Sequence, residues 1–404
     1  MRNRWLIALS AIGIHICIGS VYAWSVLTKP IMQQMNLSLK ETTWAFSLAI
    51  LFLGMSAGFL GSFVEKYGPK KSGLMSMSFF GMGMFGTAMS INMHNVLMLY
   101  IFYGVIGGIG LGIGYITPVS TLVKYFPDKR GFATGLAIMG FGFASLIAGP
   151  LMQYLTASYG LAKNFLFLGC AYMLVMALSS LYLKPPAEKP EIKSAIKRNE
   201  KGLDARQAVH TWQFAALWWI FFVNITCGIG LLAVASPMAQ DVAGMTPEMA
   251  ASMVGIIGLL NGFGRIFWST VSDYIGRGFT YAVFFIIEII AFWQLSAVND
   301  RTSFQLIIFL IITCYGGGFS CMPAYLSDIF GTRQLSAVHG RVLTAWGMAG
   351  ITGPALVSWL REITDGYAAT LQFFALCFVL NFIIAIVLKY KGNTLDKRKL
   401  NKSV

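Results

Sequence analysis

Gly61-Ser-Phe-Val-Glu65-Lys66-Tyr-Gly68-Pro-Lys70-Lys71 is a polar stretch between two long apolar runs. It has a counterpart far downstream, Trp268-Ser-Thr-Val-Ser-Asp273-Tyr-Ile-Gly276-Arg277. Both place an acid three residues before a glycine and a base at or near the next position. Glu65 and Asp273 stand 208 residues apart, as do Gly68 and Gly276. A second echo pairs Gly149-Pro150 with Gly353-Pro354. The chain therefore reads as one half used twice.

Composition says what the half is made of. Of 404 residues, 56% are hydrophobic and 11% charged, with a mean hydropathy of +0.68. Soluble domains carry about 25% charged residues. A bilayer-spanning helix needs roughly 20 apolar residues, and twelve such segments follow one another. Their spacing predicts helices over 5–28, 42–64, 72–91, 96–122, 132–158 and 162–184, then 213–238, 247–270, 279–298, 302–326, 338–360 and 367–390. The expectation is an all-α integral membrane protein of two six-helix bundles, 1–184 and 213–404. The charged run 185–212 reads as a solvated linker.

Thirty lysines and arginines give a net charge of +14. Five of them, Lys29, Lys40, Lys163, Arg301 and Arg361, fall in loops after odd-numbered segments, and Arg265 lies inside a segment. The other 24 fall in or beside the loops after even-numbered segments and at the two ends. The positive-inside rule then puts both termini and the linker in the cytoplasm, with the excess charge facing anionic inner-leaflet lipid. Scattered over separate loops, this charge makes no nucleic-acid surface. The six cysteines all lie in apolar segments without CxxC spacing and read as packing. Arg2 and Arg4 lead straight into a long first segment, so no cleavable leader is expected. The glycine run Gly104 to Gly114 lies within a segment and follows no strand. It reads as close helix packing, not a dinucleotide loop.

The loop Gly61 to Lys71 resembles, at every defined position, the signature loop of the major facilitator superfamily, G-x3-(D/E)-(R/K)-x-G-(R/P)-(R/K)-(R/K). The second copy is a degenerate version. The resemblance spans the whole chain and implies the twelve-helix fold of that superfamily, with a central site between the halves. Charged clusters at such loops suit contacts made in one conformation and broken in another. Glu65, Lys66, Lys70, Asp273 and Arg277 are therefore expected to gate.

Ionisable groups inside the bilayer are costly and face a cavity or a partner. Arg265 offers a planar donor fork matched to carboxylate, and Asn261, four residues earlier, shares its helix face. Snorkelling to nearby water is the rival reading of Arg265. Glu288 is the intramembrane carboxyl and the expected proton carrier, with His15 and His339 as rivals. Tyr22, Trp24, Tyr115 and Tyr315 offer apolar walls with one polar atom each, which suits a small organic acid.

A closer resemblance rests on Gly19-Ser-Val-Tyr-Ala-Trp-Ser, Lys124-Tyr-Phe-Pro-Asp-Lys-Arg-Gly131, Asn261-Gly-Phe-Gly-Arg265 and Ser327-Asp-Ile-Phe-Gly-Thr332. These look like the oxalate/formate antiporter branch, which includes bacterial lactate and pyruvate carriers related to the monocarboxylate transporters. By that resemblance Arg265 binds carboxylate, with Asn261, Tyr115 and Tyr315 around it. The branch's oxalate exchanger carries a lysine in its eleventh helix, whereas Trp346 stands near that position here. One fixed cation suits one carboxylate.

The reading is a secondary carrier of monocarboxylates, lactate or pyruvate, moving with a proton by alternating access. Oxalate/formate-type exchange is the alternative. A drug or cation exporter would ask for an acid in the first, fourth or seventh segment, and none is there. A membrane enzyme would need clustered His, Cys and acids. No cofactor or metal is expected. The expected partners are the organic anion, a proton and membrane lipid, in a monomer in a prokaryotic inner membrane.

Overall fold

The computed structural model describes residues 3–186 and 203–391, so most of the linker lies outside the described residues. Regular structure among the described residues is helical throughout. Helix α1 covers 4–35 as Arg4–Gly19 and Trp24–Met35, joined by a 3-10 turn at Ser20–Ala23. A single helical run, Leu39–Asn92, breaks at Gly68 into α2 (39–67) and α3 (69–92). Helix α4 covers 96–125 and is π-helical over Tyr100–Gly107. Then come α5 (Arg130–Tyr159), α6 (Leu161–Tyr182), α7 (Trp212–Ala243), α8 (Pro247–Ile275), α9 (Arg277–Leu295), α10 (Arg301–Phe330), α11 (Leu335–Thr364) and α12 (Ala368–Lys391). Among the described residues, ten stretches are long and apolar enough to cross a bilayer, one of them containing both α2 and α3. Helix α11 completes the twelve; it is less apolar because His339, Arg341, Arg361 and Glu362 lie in it.

Local chemistry sets the boundaries. Ser38 caps α2 with its hydroxyl on the Glu41 amide, and Glu41 answers on the Ser38 amide; this reciprocal pair satisfies two orphan donors. Thr246, 208 residues later, caps α8 with the first half of that pair only: its hydroxyl accepts from the Met249 amide. Asn36 and Gly244, also 208 apart, both end their helices in the left-handed region at φ 52° and 57°. Gly68 and Gly276 share φ 77° and 87°, and a Cβ on either would touch nothing within 4 Å. Both glycines are needed for backbone freedom, not for space. The duplication read from two loops is thus a duplication of caps and turns.

Two compact units form. Among the described residues, the first holds 3–127, 136–186 and 336–347; the second holds 128–135, 203–335 and 348–391. In the first, α4 lies against α2 and α3 through its glycines. A Cβ on Gly110 would come 2.5 Å from the Phe80 amide nitrogen, and Ser76 Oγ donates to the Gly110 carbonyl at 2.7 Å. In the second, Gly264 of α8 meets the Thr313 carbonyl of α10 in the same manner, at 2.5 Å. Lipid offers no hydrophobic drive between helices, so close backbone contact carries the packing. Phe285 and Phe292 of α9 pack on Phe374 and Phe378 of α12.

A single added methyl tests this. Gly110→Ala should lower stability by about 1–3 kcal/mol, the usual cost of overpacking, read as a fall in the thermal midpoint of purified protein. Gly255→Ala, where a Cβ meets nothing within 4 Å, should not fall.

Candidate functional site

In the second unit, Arg265 is 0% exposed. Its Nε donates to Asn261 Oδ1 at 3.3 Å, and its Cζ lies 5.3 Å from the Phe319 ring centroid. The glycines of α10 make room: a Cβ on Gly316 would stand 2.8 Å from Asn261 Oδ1 and 3.3 Å from Arg265 Cγ. The Arg265 carbonyl accepts from Ser269 Oγ at 2.5 Å and Ser320 Oγ at 2.6 Å, which fixes the backbone under the guanidinium. Tyr315 packs on the same Phe319 at 5.3 Å and fills the gap left by Gly228 of α7. The structure thus brings Arg265, Asn261 and Tyr315 together around Phe319. The guanidinium does not reach to the surface.

Glu288 sits apart in α9, 1% exposed, with the thiols of Cys227 (α7) and Cys314 (α10) as electrostatic neighbours. Its Oε2 has no hydrogen-bond partner among the described residues.

In the first unit, rings gather around Tyr115 of α4. Trp346 lies 5.2 Å away, Phe141 5.5 Å and His339 6.0 Å, while Tyr22 meets Phe141 at 5.0 Å and Trp346 at 6.4 Å. His15 stacks on Tyr115 at 5.3 Å. Trp24 goes elsewhere. The 3-10 turn separates it from Tyr22 and aims it at Tyr103, 4.1 Å away, whose own ring meets Phe165 of α6.

The two signature loops do the same job in their units. Glu65 accepts from the Ser336 amide in the first turn of α11 at 2.8 Å and pairs with Lys124 at 2.8 Å. Asp273 accepts from the Gly131 and Phe132 amides in the first turn of α5, at 2.9 and 2.8 Å. Arg277 pairs with Asp273 and, through Nε, with Asp328 at 3.2 Å, which Arg130 also reaches at 3.1 Å. An anion at a helix N-terminus meets unsatisfied amides and the positive end of the dipole. Lys66 lies over the Tyr67 ring at 5.3 Å, and with Lys70, Lys124 and Lys184 it lines a cavity of about 330 Å³ beside Glu65.

Sequence reasoning missed Lys124, Arg130, Asp328 and Arg341. The first three lie in stretches that carried the family resemblance, without a role. Arg341, grouped with loop charges, lies inside α11, with Nη1 out of water.

The model of the Major Facilitator Superfamily matches residues 9–354. The chain is 29% identical to the "Oxalate:formate antiporter" of Oxalobacter formigenes, over 88% of this chain and 84% of that one. It is 22% identical to "Apicoplast pyruvate carrier 1" of Toxoplasma gondii, covering 84% and 81%. Among solved structures, the proton:xylose symporter XylE superposes with a TM-score of 0.75 at 14% identity, over 96% of each chain, and so shares the fold.

Removing the loop charge tests the lock. Hydrogen bonds to charged groups are worth about 1.5–3 kcal/mol, so Asp273→Asn should change the rate of labelled-carboxylate uptake several-fold. Equilibrium substrate affinity should stay near wild type; a large affinity loss at normal rate would assign Asp273 to binding.

Proposed function

The chain belongs to the Major Facilitator Superfamily, and from that premise we propose that it carries small monocarboxylates, lactate or pyruvate, together with a proton. The observation that carries this reading is the buried Arg265 with Asn261 on one face of α8. A guanidinium held out of bulk water attracts an arriving carboxylate strongly, because its surroundings screen the attraction less than water does. A carboxylate presents two oxygens to the guanidinium fork, and the Asn261 amide is placed to donate to a hydroxyl or keto oxygen on the neighbouring carbon. Phe319 and Tyr315 supply the apolar side. Substrate neutralises Arg265, which lowers the cost of closing the protein around it, so occupancy biases the conformational equilibrium. The glycine contacts of α8 with α10 let the helices shift without clash, and the loop locks at Glu65 and Asp273 are the contacts made and released. Trp24 packs and is not a ligand in this reading. Both termini and the linker face the cytoplasm.

Oxalate/formate-type exchange is the second reading. Arg341, a further cation inside α11, supports it, and so does the 29% identical antiporter.

Reconstituted uptake of labelled lactate, pyruvate, formate and oxalate, with and without a pH gradient, separates the two. Arg265→Lys keeps charge but loses the fork and should cut transport at least tenfold, about 1.4 kcal/mol, with expression intact. Unchanged kinetics in Arg265→Ala would remove the site. Oxalate-for-formate exchange that is lost in Arg341→Gln, without net lactate uptake, would favour the second reading.

A further inference from the structure

We propose that His15 binds the coupled proton; this rests on the carrier reading above and names the group that reading leaves open. His15 is 0% exposed on α1. Its Nδ1 lies 2.6 Å from the Ala137 carbonyl oxygen of α5, and its Nε2 lies 3.1 Å from the Tyr115 carbonyl oxygen of α4. Carbonyl oxygens only accept, and a neutral imidazole has a single N–H. The neutral ring therefore satisfies one carbonyl and turns a lone pair toward the other. The imidazolium donates to both. Stacking on the Tyr115 ring at 5.3 Å places a π face against the same cation, an arrangement that favours positive charge.

The titratable neighbours are few. Tyr115 faces His15 from α4, and His339 faces it from the 336–347 segment as an electrostatic neighbour. Ala137 and Phe141 of α5 bring no titratable side chain. On α1 itself Cys17 follows two residues on, and Tyr172 of α6 reaches that turn. Neither rival is as well placed: both His339 nitrogens and Glu288 Oε2 lack a hydrogen-bond partner among the described residues.

Proton binding to His15 ties α1 to two other helices through their backbones. Loss of that proton leaves one N–H for two acceptors, and one tie is released. Tyr115 is at once the carbonyl that His15 grips and the centre of the ring cluster with Trp346 and Phe141. The proton therefore acts on the helix that carries this cluster, and where proton and substrate are coupled, linkage makes each change the other's affinity by the same factor.

The test uses the full chain in proteoliposomes. Wild type should take up labelled lactate or pyruvate faster under an inward proton gradient. His15→Gln should lose that acceleration by about 5-fold or more, the lower edge of a typical two-ligand coupling, while substrate-for-substrate exchange continues. Glu288→Gln should keep it. Gradient-driven uptake in His15→Gln equal to wild type overturns the proposal. Wild-type protein that exchanges substrate but ignores the gradient overturns it too, while leaving the Arg265 reading intact; loss of all exchange in the wild type would strike that reading instead. If His15→Gln fails to fold, nitrogen NMR on histidine-labelled wild type decides. Of four histidines, one buried ring should carry protons on both nitrogens at neutral pH, assigned by single replacement of His94, His210 and His339. Absence of such a ring overturns the proposal.

Discussion

Two carboxylates on tight interhelical turns organise this molecule. Glu65 and Asp273 each follow an apolar helix, precede a glycine in a backbone conformation other residues rarely take, and hold the exposed amides of another helix's first turn. The turn cannot form without Gly68 or Gly276, and the first turns of α11 and α5 carry orphan donors that need an acceptor. Sequence distance makes the constraint strong. Glu65 reaches Ser336, and Asp273 reaches Gly131, so each loop fixes a helix that begins well over a hundred residues away. The copies diverge in their support. Glu65 leans on one lysine, whereas Asp273 belongs to a network of two arginines and a second aspartate.

Charge is expelled almost everywhere else. The described core is glycine, serine, threonine, aromatic and aliphatic, with hydroxyls returned to their own helix's carbonyls four residues back, as at Thr87 and Thr117. Against that background the buried Arg265, Glu288, His15 and His339 stand out. They differ in what surrounds them. Arg265 has an amide oxygen and a ring, His15 has two carbonyls, and Glu288 has thiols. The same burial thus leaves a cation beside an amide oxygen and a ring, an imidazole between two acceptors, and a carboxyl among thiols.

Much of this was legible in the sequence. Twelve apolar segments of the right length gave the helices, and two loops gave the repeat, because turn glycines and capping acids leave local signatures. Arg265 with Asn261 was legible because four-residue spacing is a helix property. What lay hidden depends on rotation and tertiary contact. A 3-10 turn at Ser20–Ala23 sends Trp24 away from Tyr22, and no periodicity announces it. The carbonyl partners of His15 are backbone atoms, which carry no residue-type signal, so Glu288 drew attention on charge alone. Arg341 lies within the segment 338–360, but so near its start that it groups with the loop cations beside it.

The wide turn of α4 has its own consequence. Over Tyr100–Gly107 the helix is π-helical, which stores one surplus residue in a continuous rod. Gly83 and Gly107 meet there backbone to backbone, while Tyr103 of the same turn packs on Trp24 and Phe165 and the Tyr100 hydroxyl donates to the Glu41 carbonyl. Tightening it to α geometry would advance the register of everything beyond by one residue, about 100° of rotation. Tyr115 sits on that downstream segment. A spare residue in the rod thus works like a set screw: it decides which way the wall around Tyr115 faces while the helix stays whole.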